Sequence, residues 1–146
     1  MNKGNYLLIL HLLKTGEIAV GKKIKHVFTE GYYIYIGSAY GPGGLQKRLE
    51  RHFSKEKKIY WHIDYFLQHS KLIEAWTIAP AISLEHEIAE FLHTIPDFKP
   101  AYPHFGSSDC NCPTHLFKYG RKPIISEINK LLKGMVYPNR FVIFKI

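Results

Sequence analysis

The sequence is short of cysteine. Two occur among 146 residues, Cys110 and Cys112; they cannot frame a disulfide scaffold, and cysteines this close seldom bridge. Also missing is any apolar run near the roughly 20 residues that a membrane-spanning helix needs. The longest candidate, "LLILHLL" at 7–13, is interrupted by His11 and runs into "KTGE" with no small-residue cleavage site. It predicts a strand, not a signal peptide. No membrane partner is expected, and the cytoplasm is the expected compartment. No internal repeat or linker stands out, and nine histidines include no HExxH pattern. Acidic residues are in deficit: 12 Asp and Glu face 20 Lys and Arg, a net charge of +8. That balance fits a polyanionic partner, most simply nucleic acid, and equally a lysine-rich solubilising surface.

What is present is a folding composition, 46% apolar and 14% aromatic, of a length that suits one domain with a core. Strands are predicted at 5–13, in "EIAVG" and "IKHVF", at 32–38, at 72–78 and in the terminal "RFVIFKI". Helices are predicted from "GPGG" to about Phe53, over 57–69, from Ser83 to about His93, and over 122–134 up to Gly134. Residues 94–114, with four prolines and both cysteines, predict a long ordered loop or a small metal-tied feature. Together these give a single α/β (α+β) domain: a small, mainly antiparallel sheet flanked by helices, with an extra N-terminal hairpin.

The chemistry concentrates in "GYYIYIGSAYGPGGLQKRLERH", Gly31 to His52. Alternate strand residues share a face, so Tyr33, Tyr35 and Gly37 point one way and Ile34 and Ile36 the other. The isoleucines suit a core, whereas buried tyrosine hydroxyls need partners. Tyr6 opens a neighbouring strand and can converge with Tyr35; the plain alternative is an aromatic ladder. On the following helix, Leu45, Leu49 and Phe53 define a buried stripe. His52 then lies roughly 60° and Arg48 roughly 100° from its middle, at the edge of the core. Lys47 and Arg51 fall further round, towards water. Arg48 is either a solvated charge or a planar fork for a phosphate.

Glu85 carries the sharpest single-residue signal. Ile82, Leu84, Ile88, Ala89, Phe91 and Leu92 fill about 180° of a helical wheel, and Glu85 projects into that half. A carboxylate there is costly unless it is paired, with Arg48 for instance, or bound to a hard cation such as Mg²⁺. Glu87 takes its place if the register differs.

Taken in order, these stretches resemble the GIY-YIG nucleases. Gly4-Asn5-Tyr6 and Tyr35-Ile36-Gly37 look like the two halves of the signature, Arg48 and His52 like its arginine-x-x-x-histidine helix, and "LEHEIA" like its glutamate helix. "WHIDYFL" and "FGSSDCNCPTHLF" are similar to a compact stand-alone, archaeal-type subfamily. The resemblance runs from Gly4 to about Phe117 and implies one nuclease domain over 1–146, with 117–146 a helix-and-strand extension. It implies a metal-dependent endonuclease that hydrolyses phosphodiester bonds, with DNA, including branched or damaged DNA, ahead of RNA. Tyr6, Tyr35, Arg48, His52 and Glu85 become the catalytic set, and Glu85 the ligand of Mg²⁺ or Mn²⁺. The signature halves stand further apart than is usual, the excess being the hairpin. The family's supporting asparagine has no clean counterpart; Asp97, Asp109 and Asn111 are the candidates.

Around this set lie Lys47, Arg51, Lys55, Lys57 and Lys58, with Trp61 and His62, as candidate nucleic-acid contacts: cations for phosphates and an aromatic for base stacking. Trp61 and Tyr65 can alternatively pack under the 94–114 loop, while His62 and Asp64 pair with side chains or cap backbone. "CNCPTH" offers Cys110, Cys112 and His115, with His104 nearby, but Cys-x-Cys is tighter than the usual zinc spacing and argues against a structural Zn²⁺. A turn ordered by Ser and Asp109 hydroxyl and carboxylate groups is the preferred reading. The main rival function is a non-catalytic nucleic-acid-binding module on the same fold. A monomer or weak homodimer is expected.

Overall fold

In the computed structural model, residues 3–21, 25–79, 83–106, 112, 114–135 and 142–145 are described. The longest apolar run becomes β1 (Gly4–Leu12) at the centre of the sheet, flanked by β4 (Gly31–Ala39) and β5 (Lys71–Ala79). β7 (Leu116–Tyr119) adds to β4, β6 (Phe98–Pro100) to β7, and β8 (Val142–Lys145) to β5. The order is β6-β7-β4-β1-β5-β8, and every pairing is antiparallel. A separate hairpin pairs β2 (Gly16–Ala19) with β3 (Lys25–Phe28). Helices α1 (Gly44–Phe53), α2 (His62–Leu67), α3 (Glu85–His93) and α4 (Ile125–Leu132) complete the α+β fold. No described helix is long and apolar enough to cross a membrane.

Two cores explain why β1 is apolar throughout. Strand alternation sends Leu7 and Ile9, with Ile34, Ile36, Trp76 and Ile78, to the face covered by α3 and α4. Tyr6, Leu8 and Leu10, with Tyr33 and Tyr35, face the layer that holds α1, α2 and the hairpin. A strand buried on both faces reads as a continuous run instead of an alternating one. The terminal strand completes the sheet edge beside β5.

Several elements differ from the sequence expectation. The stripe on α1 holds Leu45 and Leu49, but Phe53, its last residue, is 47% exposed and His52 is buried in its place. The helix predicted over 57–69 begins only at His62, because Asp64 Oδ2 accepts the Tyr60 and Trp61 amides and fixes the start there. Ile59 therefore lies outside the helix. α4 starts at Ile125, after Pro123. Within 94–114, Phe98–Pro100 pairs with β7, an edge that the proline-rich composition hides. Ile82, Asp109, Cys110 and Asn111 lie outside the described residues.

Candidate active site

The register of β1 against β4 sets Tyr6 opposite Gly37. A Cβ on Gly37 would come within 2.3 Å of Tyr6 Cζ, so only glycine lets the phenol lie across the strand. This is the physical content of the glycine after Tyr35-Ile36. Beyond the strand, Gly43 takes the left-handed conformation at φ 86° and starts α1 at once. Leu45 and Leu49 then anchor the helix in the core, which turns Arg48 and His52 to the end of the sheet.

Arg48 is half-buried. Its Nη1 donates to the Ser38 carbonyl at 2.9 Å, and its guanidinium lies 4.5 Å from the centroid of the Trp61 ring. Glu85, the first residue of α3, comes from the opposite layer and reaches the same place around the sheet end. That helix start is fixed by the fully buried Asn5, whose Oδ1 accepts the Leu84 amide at 3.1 Å; Ser83 provides no side-chain cap. The Ser38 hydroxyl donates to Glu85 Oε1, and His115 Nδ1 stands 2.9 Å from Oε2. Among the described residues no ion pair joins Glu85 to Arg48, the partner considered from the sequence. Tyr6, Tyr35, Arg48, Trp61, His62 and Glu85 thus line one cleft of about 600 Å³, together with Gly37 and Ser38.

The electrostatics separate these groups. Burial raises the Tyr6 hydroxyl, although the adjacent Arg48 works against it, and burial raises Tyr35 well above its usual range. Burial alone would also raise Glu85, but the hydrogen bonds from His115 and Ser38 outweigh it and hold the carboxyl below the ordinary range. At neutral pH the Glu85 carboxylate and the Arg48 guanidinium therefore face the protonated Tyr6 and Tyr35 phenols in this cleft.

His52 stands behind Tyr6, with Nε2 at 2.7 Å from the hydroxyl and Nδ1 without a partner among the described residues. A buried orphan N–H costs more than an orphan acceptor. The ring therefore carries its proton on Nε2 and donates to the Tyr6 oxygen, leaving the phenolic proton for the cleft. Burial, reinforced by Lys57, pushes this imidazole down to about 3. An unfolded chain protonates histidine near pH 6.5, so between those values the unfolded state binds the extra proton. Stability contributed by neutral His52 is thus lost as pH falls from about 6.5 towards 3, by at most ~1.4 kcal/mol per pH unit. Thermal melts of His52→Gln should show a shallower slope than wild type over that window; parallel slopes would refute the assignment.

Not every expected nucleic-acid contact faces out. Lys47, Lys55 and Lys58 are exposed. Arg51, predicted to point to water, instead grips Asp64 with Nη1 to Oδ1 at 2.8 Å and Nη2 to Oδ2 at 2.7 Å, and lies 4.2 Å from the Trp61 centroid. Helical phase placed it outward, but the loop after α1 folds back over it. Lys57 Nζ caps the carbonyls of Arg51 and His52 at 3.0 Å each. His62 Nδ1 accepts the Gly106 amide at 3.0 Å. Glu87 does not line the cleft, and Asp97 is exposed in a separate one with Lys99 and Arg121. Ser38 and His115, the two partners of Glu85, were not singled out for this site by sequence reasoning; Ser38 sits directly after the glycine, and His115 is visible only as a metal candidate.

Residues 5–137 match the model of a family described as a domain of unknown function, DUF123. The chain belongs to that family. No curated protein and no solved structure matches it. The DUF123 span contains every lining residue of the cleft, from Tyr6 through Glu85 to Gly106, and also His115 behind Glu85, while β8 lies beyond it. The site is thus a feature of the DUF123 domain and not of its C-terminal edge strand.

Proposed function

We propose that this protein is a divalent-metal-dependent endonuclease of GIY-YIG type, acting on nucleic acid, with DNA ahead of RNA. The observation that carries the reading is the meeting of ionised Glu85, Arg48 and the Tyr6 and Tyr35 hydroxyls in one cleft, from four separate elements. The donors there are oxygens of carboxylate and hydroxyl, the kind Mg²⁺ prefers, and one carboxylate suffices because Mg²⁺ keeps waters and takes substrate phosphate oxygens. Glu85 would hold the ion, which supplies Lewis-acid stabilisation of the leaving oxygen.

The remaining roles belong to the side chains. As water oxygen bonds to phosphorus and the P–O ester bond breaks, Arg48 offers donors to the charge that develops on the phosphoryl oxygens. Burial keeps Tyr6 protonated, so its part is to orient the water by hydrogen bonding, with Tyr35 beside it, and His52 holds the phenol in place. Trp61, with the Arg48 and Arg51 guanidiniums over its ring, holds Arg48 at the cleft wall, and the exposed Lys47, Lys55 and Lys58 meet backbone phosphates.

The test is a panel of single-stranded, duplex and branched DNA and RNA, incubated with Mg²⁺ or Mn²⁺. Wild type should cleave at least one substrate, and Glu85→Ala should lower the rate at least about a hundredfold. Cleavage that persists unchanged in the variant marks a contaminant. Salt-sensitive binding without cleavage of any substrate marks a binding module instead.

A further inference from the structure

Behind Glu85 the fold assembles a second set of donors of a different kind. His86 follows Glu85 on α3; Cys112 and His115 come from the chain before β7 and are 1% and 0% exposed. One ligand atom from each lies within 4.8 Å of the others, and the two imidazole centroids are 5.9 Å apart. We propose that His86, Cys112 and His115 bind a zinc-class divalent ion that ties this stretch of chain to the start of α3.

The ligand chemistry selects the ion. A thiolate with two imidazoles suits zinc and its borderline-soft neighbours, whereas Mg²⁺ takes hard oxygen. The tight Cys-x-Cys spacing is a poor local zinc motif, but the third ligand is His86 from a distant helix, and His104 is not part of the cluster. Tetrahedral ligation sets donor atoms roughly 3.3–3.8 Å apart. His86 is exposed and can turn its ring by the small amount that closing the site requires. Three protein ligands leave the fourth position to water.

The connection to the cleft runs through His115. His115 stands with Nδ1 2.9 Å from Glu85 Oε2 and is also a member of the cluster with His86 and Cys112. A carboxylate–histidine–metal chain of this kind fixes both ring and carboxylate orientation. The ion withdraws electron density from the imidazole, strengthens its hydrogen bond to Glu85 and helps keep that carboxylate ionised. The site stands whether or not the chain is a nuclease, since its test reads metal and not cleavage.

The experiment uses the full chain without an affinity tag. Elemental analysis of the purified protein should find about one zinc per chain, and a chelator should lower the melting temperature until Zn²⁺ is restored. Cobalt in place of zinc should give tetrahedral ligand-field bands and a thiolate charge-transfer band that excess Mg²⁺ does not remove. His86→Ala, at an exposed position, should keep the fold and weaken cobalt binding roughly tenfold or more; Cys112→Ser should abolish the charge-transfer band. A folded, metal-free wild type with no response to Zn²⁺ or Co²⁺ overturns the proposal. So does a charge-transfer band that survives Cys112→Ser, or cobalt affinity unchanged in His86→Ala.

Discussion

Arg48→Ala is expected to lower phosphodiester cleavage by roughly a thousandfold while the protein stays folded. The size follows from where the guanidinium sits. It is half-buried at the wall of the cleft, with one nitrogen committed to the Ser38 carbonyl and its plane set over Trp61. Its position is fixed before substrate arrives, so no reorganisation is needed as charge builds on the phosphoryl oxygens. Removing one such donor costs about 10²–10³ in rate, and a charged, partly desolvated one belongs at the upper end. Arg48→Lys should recover only a little, because a single ammonium cannot hold the Ser38 carbonyl and reach a phosphate together. Single-turnover rates at saturating metal, with melting temperatures alongside, check both statements. A loss smaller than tenfold in Arg48→Ala would remove this residue from the chemistry.

The part of the site that was legible in the sequence is the part fixed by periodicity. Period-2 alternation put Tyr35 with Gly37 and away from Ile34 and Ile36, and the two cores bear that out. Period-3.6 phasing put Glu85 on the apolar half of its helix, and it is only 17% exposed in the fold. Phasing is silent about what a neighbouring segment does to a face. Arg51 is outward by helical angle and inward in fact, because Asp64 arrives from α2. Phe53 completes the stripe by spacing, but the helix ends there and His52 takes the core position by bonding Tyr6.

The pairings that escaped are long-range ones. Ser38 and His115 meet Glu85 across 47 and 30 positions, so no window of sequence contains both members. The same holds for His86 with Cys112 and for Asn5 at the start of α3. β6 escaped for a different reason: three residues ending in proline carry too little alternation to register as a strand, and pairing with β7 supplies what composition lacks.

Asp64→Ala should be the most damaging substitution for stability, by about 3–5 kcal/mol. Asp64 is fully buried and accepts four hydrogen bonds: two from Arg51 and one each from the Tyr60 and Trp61 amides. Burial alone would raise this carboxyl; those donors outweigh it and hold it below the usual carboxylate range. Its contribution is therefore present above a pH of about 4 and is lost as pH falls through the depressed folded-state value. Alanine leaves two amides and a guanidinium without their acceptor, which is the costly half of breaking a buried pair. For a chain of this length the loss corresponds to a drop of roughly 10–15 °C in melting temperature. Arg51→Ala on top of Asp64→Ala should cost less than it does alone, since the guanidinium has already lost its carboxylate and keeps only the Lys58 carbonyl and the Trp61 ring, and a double-mutant cycle measures that coupling. The damage should reach the cleft as well: Arg51 steadies Trp61, Trp61 lies under Arg48, and a looser Trp61 leaves Arg48 less well placed. Full additivity in the cycle, or a drop under about 1 kcal/mol in Asp64→Ala, would show that the loop after α1 is held by something other than this carboxylate.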